Sequence, residues 1–185
     1  SARANRLQAV TARLAEAVTP QQVLDAILTE GVEAAEGRAG AIGLLCHDGE
    51  TIDIVAQRGY EQNIFVGWET FPLDRETPMG RAILEETPFF FSTSAERNAA
   101  FPNMAGLSGP SHALAILPLV VEGRAVGGIA FTFPREIEFD ANRRALKATL
   151  AQQAAQAIDR VRLYEAERAL RQRMTFLADA SELLG

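Results

Sequence analysis

The sequence predicts an α+β domain built on a central antiparallel sheet of five to six strands. Three observations support this prediction: two helical patterns open the chain, two pairs of apolar segments flank tight-turn residues, and a long helical pattern closes the chain. Because short turns join the strands of each pair, those strands are expected to run antiparallel. The N-terminal helices and the long C-terminal helix are expected to cover one face of the sheet.

Two helices are predicted at the start of the chain. The first carries an apolar stripe at helical spacing, formed by Leu7, Val10, Leu14, Ala17 and Val18. The second begins at a capping box, in which Thr19 is the N-cap, Pro20 takes the first helical position and Gln22 follows at the third. Its apolar side chains are Val23, Leu24, Ile27, Leu28 and Val32. Each helix therefore has one face to bury.

Two hairpins supply four of the predicted strands. The strand candidates are residues 41–46, 51–57, 112–121 and 124–133. Asp48-Gly49 and Glu122-Gly123, the residue pairs that separate them, suit tight turns. Two antiparallel hairpins and one further strand make up the predicted sheet.

The segment between the hairpins is irregular and rich in aromatic residues from Gly59 to Phe101. A threonine-proline cap signal predicts a short helix over residues 77–84. The run Phe89–Phe91 is a candidate for a short buried strand. Residues 92–110 are interpreted either as a lid that changes order on binding or as a surface loop without a role.

A long helix is predicted from its N-cap Asp140, because no glycine or proline follows before Gly185. The first half carries a stripe suited to covering a sheet or pairing with a partner helix: Leu146, Leu150, Ala154, Ala157, Ile158 and Val161. In the second half, apolar residues recur as in a coiled-coil seam: Leu163, Leu170, Met174, Leu177 and Leu184.

The seam has two irregularities. Glu167 and Ser181 occupy positions that an uninterrupted seam would fill with apolar residues, and the phase changes between Val161 and Leu163. We interpret the segment as a parallel homodimer helix, with the phase change as its two-state element.

The composition argues against several classes of protein. A formal net charge of −6 leaves no basic face for a nucleic acid or an anionic membrane. No apolar run reaches the ~20 residues that a membrane span requires, and the first residues lack a secretory pattern. Cys46 is the single cysteine, which excludes an intramolecular disulfide and a multi-thiolate zinc site. We therefore expect a cytoplasmic protein.

Four stretches make the chain resemble a GAF domain. They are LQAVTARLAEAVTPQQVLDAIL, TPMGRAILEETPFFF, HALAILPLVVEGRAVGGIAFTF and FDANRRALKATLAQQAAQAIDRVRLYEAE, and together they extend from Leu7 to Glu167. The third is the most specific, with its Pro118-Leu119, the Gly123 turn and Gly127-Gly128. The resemblance implies a GAF/PAS-like fold in residues 1–165, followed in residues 166–185 by a coiled-coil linker or the start of a second sensory domain.

The resemblance also implies a function. GAF domains occur in multidomain signalling proteins, above all sensor histidine kinases, so we expect a sensor module cut from a larger protein that relays ligand or partner binding through its last helix. A ligand-free dimerisation spacer is the alternative. The family places its pocket between the sheet and the irregular segment, where the candidate residues are Trp68, Phe71, Phe89, Phe91, Phe101, Met104 and His112. Equally, these aromatic residues could fill the space themselves.

Catalysis and the best-known prosthetic groups of the family are disfavoured. No phosphate loop, dinucleotide fingerprint or HExxH motif occurs, and neither histidine lies on a predicted helix as a kinase phosphoacceptor would. Methionine sulfoxide reduction by GAF-related enzymes requires more than one cysteine. Cys46-His47 lies in the first hairpin, the wrong place for bilin attachment, and His112 is the one candidate axial ligand for haem. The identity of any ligand stays open.

Overall fold

The arrangement of helices and strands follows from a computed structural model that describes residues 2–16, 19–61, 64–105 and 112–185. Its helices are α1 (Ala2–Glu16), α2 (Pro20–Ala34), α3 (Pro78–Glu85), α4 (Ser94–Ala100) and α5 (Ala141–Leu184), with a 3-10 turn at Pro102–Met104. Its strands are β1 (Ala39–Leu45), β2 (Thr51–Arg58), β3 (Thr70–Pro72), β4 (Phe89–Phe91), β5 (Ala113–Val121) and β6 (Arg124–Phe133). Ala17 and Val18 of the first predicted stripe lie outside the described residues.

In the described part of the chain, six strands form one antiparallel sheet in the order β3-β2-β1-β6-β5-β4. This confirms the predicted sheet and both hairpins. Glu122 and Gly123 have φ angles of 49° and 77°, the left-handed pair that a two-residue hairpin turn requires. Asp48 stabilises the turn between β1 and β2, because its carboxylate accepts hydrogen bonds from the backbone N–H groups of Glu50 and Thr51 at 2.8 and 3.0 Å.

The sheet separates two layers of different composition. Helices α2 and α5 cover one face, where the larger apolar core lies, and α1 packs against both helices. Helices α3 and α4 and the segments around them cover the other. Strand alternation produces this division, since Ile129, Phe131 and Phe133 of β6 belong to the first core while Ala130 belongs to the second.

Two glycines of the sheet allow α3 to pack closely against it. Gly43 and Gly128 lie directly opposite each other on β1 and β6. A Cβ atom on Gly128 would lie 2.9 Å from Cγ of Met79, and a Cβ on Gly43 would also collide with Met79. The two absent side chains therefore make the space into which Met79 inserts.

Helix α5 begins as predicted, with the Asp140 carboxylate accepting a hydrogen bond from the Arg143 N–H at 2.7 Å. At 1.5 Å per residue its length is about 66 Å. The fully buried residues of this helix end at Val161, so the rest of the helix extends beyond the domain core. Val161 is 3% exposed and Leu163 is 64% exposed. The helix thus leaves the domain at the position where the apolar phase changes.

The segment after β4 differs from its interpretation as a lid or surface loop. Ser94–Ala100 forms α4, and a 3-10 turn follows before Ala105. Thr93 caps α4 by accepting the Glu96 N–H at 3.1 Å, while the Glu96 carboxylate accepts the Ser92 N–H at 2.7 Å. These capping hydrogen bonds stabilise a helix in a segment whose composition is typical of a loop. Residues 106–110, the rest of the interpreted lid, lie outside the described residues.

Candidate functional site

A cavity of about 100 Å³ lies between the sheet and the α3/α4 layer. The strands provide its floor: Ala41, Ile54, Leu114, Ile116, Ala130 and Thr132. Ala41 and Ala130 are directly paired across β1 and β6. Both side chains are single methyl groups and occupy little of the space above the floor, whereas Met79 fills the space above the neighbouring Gly43-Gly128 pair.

Aromatic side chains from the connection between β2 and β3 cover the cavity. The connection supplies Tyr60, Phe65 and Trp68 together with Ile64, and strand β3 supplies Phe71. Tyr60 and Phe65 meet edge to face with their ring centroids 5.2 Å apart, and Trp68 lies 6.1 Å from Phe71. Phe71 is fixed by β3, where it is the partner of Ile52 in the ladder. The aromatic side chains above the cavity are therefore positioned by contacts among their rings and by the short edge strand β3.

The hydroxyl groups of Tyr60 and Thr77, which line the cavity, form hydrogen bonds within the protein. Burial raises the pKa of Tyr60 to about 12, and a hydrogen bond with the Thr132 side chain opposes part of this rise. The tyrosine is therefore neutral at physiological pH. Thr77 is buried at the start of α3, where its hydroxyl accepts the Gly80 N–H at 3.1 Å.

Arg97 brings a positive charge to this otherwise apolar wall. It lies on α4, lines the cavity and is 4% exposed. Its Nε and one terminal nitrogen both donate to Oδ1 of Asn98, each at 3.2 Å. Burial lowers the pKa of Arg97, although an arginine side chain stays protonated in proteins.

The structure places three of the seven predicted pocket residues, Trp68, Phe71 and Met104, in the cavity wall. The other four lie elsewhere. Phe89 and Phe91 stack with centroids 6.5 Å apart, and Phe91 meets Phe101 edge to face at 5.8 Å. These three rings pack on one another beside the cavity, as the packing interpretation of the aromatic residues describes.

His112, the fourth of these residues, is exposed at the start of β5, where its backbone N–H donates to the Phe133 carbonyl at 2.9 Å. Sequence reasoning assigned no site role to Tyr60, Phe65 or Arg97. A usable signal existed for the helix that carries Arg97, because Thr93 and Glu96 have the spacing of a capping box, but not for the burial of Arg97 itself. No comparable signal distinguishes Tyr60 and Phe65 from the other aromatic residues of the segment.

The family model described as GAF domain matches residues 17–159 of the chain. The match extends from the end of α1 into α5 and includes every strand of the sheet. The chain belongs to the GAF domain family. No curated protein sequence matches it significantly.

Solved structures agree with this assignment of the GAF domain. The GAF domain of a phosphoenolpyruvate-protein phosphotransferase from Acinetobacter is 14% identical, with a TM-score of 0.74, 90% of this chain covered and 98% of the other. A methyl-accepting chemotaxis protein segment is 20% identical (TM-score 0.70; 85% and 99% covered). A domain of a putative two-component sensor histidine kinase from Sinorhizobium meliloti is 24% identical (TM-score 0.61; 80% and 96% covered).

At these identities the likeness establishes the fold. The chemotaxis and sensor-kinase segments among these neighbours show that the GAF fold occurs in signalling proteins.

The predicted dimer and signalling residues of this GAF domain fall into two groups along α5. Leu150, Ala157 and Val161 are buried in the core of the domain, and Leu146 is half-buried against it. The second group is exposed along the projecting part of the helix: Leu163, Leu170, Met174 and Leu177. The first group therefore packs into the domain core, and only the second forms an exposed apolar face.

The described residues of the GAF domain contain no group of three or more His, Cys, Asp or Glu side chains that could hold a metal ion. Cys46 is half-buried after β1, where its N–H donates to the Thr51 carbonyl at 2.9 Å, and His47 beside it is exposed. Neither lines the cavity. Within the same described ranges, no helix has both the length and the apolar character that a membrane crossing demands.

Proposed function

We propose that this GAF domain is the sensor module of a cytoplasmic signal-transduction protein, most typically a sensor histidine kinase. A small molecule occupies the cavity, and its presence is relayed through a homodimer of α5. The observation that carries this proposal is the apolar hollow at the Ala41-Ala130 pair, roofed by aromatic rings. Apolar walls with a few polar groups are typical of ligand sites.

A short physical path supports the relay. Strand β5 contributes Leu114 and Ile116 to the cavity floor. The alternate residues Ala113, Ala115 and Leu117 belong to the core on the opposite face, where α5 packs on β5. One strand thus contacts the cavity on one side and the signalling helix on the other, and a displacement of β5 would reach both.

We also propose that the domain itself does not catalyse a reaction. The support is chemical: the lining residues in the described ranges include no His, Cys, Asp or Glu. These residue types provide most nucleophiles and general bases in enzymes.

A cavity-filling variant tests the ligand function. Ala130→Phe places a ring in the hollow, and Ala99→Phe, at an exposed position of α4, adds the same ring outside it. We expect small aromatic and aliphatic fragments to raise the melting temperature of the wild type and of Ala99→Phe but not that of Ala130→Phe. If no fragment raises the melting temperature of the wild type and of Ala99→Phe more than that of Ala130→Phe, the proposal is contradicted.

The ligand-free dimerisation spacer is the second candidate. It is favoured by the Phe89, Phe91 and Phe101 rings, which pack on one another and are not among the described lining residues of the Ala41-Ala130 cavity. In this case α5 only sets the register between neighbouring domains. The same fragment experiment separates the two functions, because a spacer has no ligand-dependent melting temperature.

A further inference from the structure

The hydroxyl groups that line the cavity already have partners within the protein. The Thr77 hydroxyl accepts the Gly80 N–H at 3.1 Å, and the Tyr60 hydroxyl is hydrogen-bonded to the Thr132 side chain. Within the described ranges, the buried side-chain atom without a hydrogen-bond partner is Oε1 of Gln153, which does not line this cavity. In the described lining, a ligand therefore meets no buried side-chain donor or acceptor that lacks a partner.

The charged side chain at the cavity is also engaged by the chain itself. Arg97 donates from Nε and from one terminal nitrogen to Oδ1 of Asn98, each at 3.2 Å, and it has a further interaction within the chain. Arg97 therefore does not require an anionic ligand. No carboxylate in the described lining favours a cationic one. Residues 62–63 and 106–111, which lie outside the described ranges, contain no ionisable side chain.

The surface that faces the cavity is almost entirely apolar. Ala41 and Ala130 contribute methyl groups to the floor, and Trp68 and Phe71 contribute ring carbons to the cover. Burying a hydroxyl or an amide without a hydrogen bond is unfavourable, and burying a charge without a partner is more so. Apolar cavities in proteins stay dry and bind apolar molecules such as benzene. The volume of about 100 Å³ suits a body the size of a single ring.

We propose that the ligand of this site is a neutral, apolar molecule of about the size of one ring, which lies on the Ala41-Ala130 floor beneath Trp68 and Phe71. Its chemical class is that of small aromatic or alicyclic hydrocarbons and their halogenated derivatives. This inference rests on the proposed sensor function and specifies its ligand class. It excludes ions and large polar molecules from the site.

Three probes of similar size test the inference by titration calorimetry: toluene, phenol and benzoate. Wild type should bind toluene at least roughly tenfold more tightly than phenol, because the phenol hydroxyl loses its hydrogen bonds to water and gains none. Benzoate should bind at least roughly a hundredfold more weakly than toluene, because its charge is buried without a partner. Ala130→Phe, which fills the hollow, should lose toluene binding. Ala99→Phe, which adds the same ring at an exposed position of α4, should keep it.

The outcomes separate this inference from the proposed function. If phenol or benzoate binds as tightly as toluene and Ala130→Phe abolishes that binding, the apolar class is overturned while the sensor pocket stands. If wild type binds none of the three probes, the inference is overturned, and the fragment melting experiment tests the sensor function separately. If Ala130→Phe fails to fold, Ala130→Leu fills part of the same space. A toluene affinity in that variant within about twofold of wild type would count against the inference.

Discussion

Lys147 is the single lysine of the sequence and is 2% exposed on the sheet-facing side of α5. Its ammonium lies 5.1 Å from the Phe133 ring centroid and 5.5 Å from that of Phe139, and it donates to the Arg143 carbonyl at 3.5 Å. Burial lowers the pKa of Lys147 to about 8, while the nearby Glu36 carboxylate opposes the change. Cation-π contacts compensate only part of the burial.

The first prediction is that Lys147→Met stabilises the domain at neutral pH. The methionine fills the same space without a charge, and the gain at about pH 7 is on the order of 2–3 kcal/mol. The lysine pKa is lower in the folded state than in the unfolded state, so wild type gains stability as pH rises above about 8. The advantage of the variant should therefore shrink toward about pH 10.

Urea denaturation of the two proteins between about pH 7 and about pH 10 measures this difference. The variant differs from wild type only in lacking the Lys147 ammonium. Subtracting its unfolding free energy from that of wild type at each pH therefore removes the contributions of the other titratable groups. A difference in unfolding free energy that stays constant across the range would contradict the prediction.

The second prediction concerns the Gly128-Met79 contact. Gly128→Ala should destabilise the domain by about 1–3 kcal/mol, because its Cβ would lie 2.9 Å from Met79 Cγ. In a Met79→Ala background the same substitution should cost much less, since no other atom comes within 3.4 Å of that Cβ. A double-mutant cycle by urea denaturation tests the coupling, and additive effects would refute the steric account.

At the residue scale, the sequence could locate the aromatic segment but not decide which rings line the cavity. Phe89 and Phe91 share one face of β4 because strand side chains alternate, and that face points to Phe101. Arg97 has the composition of a surface residue, and only the tertiary position of α4 buries it. Such placements depend on contacts between distant segments, which a periodicity cannot supply.

At the element scale, capping chemistry was the most reliable guide. The Thr19 capping box and the Thr77 and Asp140 N-caps all occur as predicted. Strand β3 was missed because its residues 70–72 form a three-residue edge strand with no room for an alternating pattern. Helix α4 was missed although Thr93 and Glu96 carried the signal.

The third prediction concerns the projecting part of α5. Leu170 and Leu177 are 58% and 63% exposed, and their heptad spacing suits a partner helix. Leu170→Ala with Leu177→Ala should weaken self-association at least about tenfold in sedimentation equilibrium without lowering the melting temperature of the domain. Gln172→Ala with Asp179→Ala, on the opposite face of the helix, is the matched control. Unchanged association of the leucine variant would rule out the seam.

At the scale of the whole molecule, the sheet is the common wall of two layers. Residues of β5 alternate between the cavity and the core that holds α5. The sequence predicted both the sheet and the covering helix, because hairpin turns and helical periodicity are local signals. It could not predict that β5 joins the cavity to α5, since strand order is a property of the assembled sheet.

The central claim is that the cavity and the projecting helix are coupled. The most direct test is amide hydrogen exchange of residues 163–184 in wild type and Ala130→Phe, each with and without a saturating concentration of the fragment that most raises the wild-type melting temperature. We predict that the ligand changes exchange in this segment by roughly fivefold or more in wild type and not in the cavity-filled variant. Protection that appears around the cavity of the wild type while residues 163–184 exchange at unchanged rates would contradict the claim.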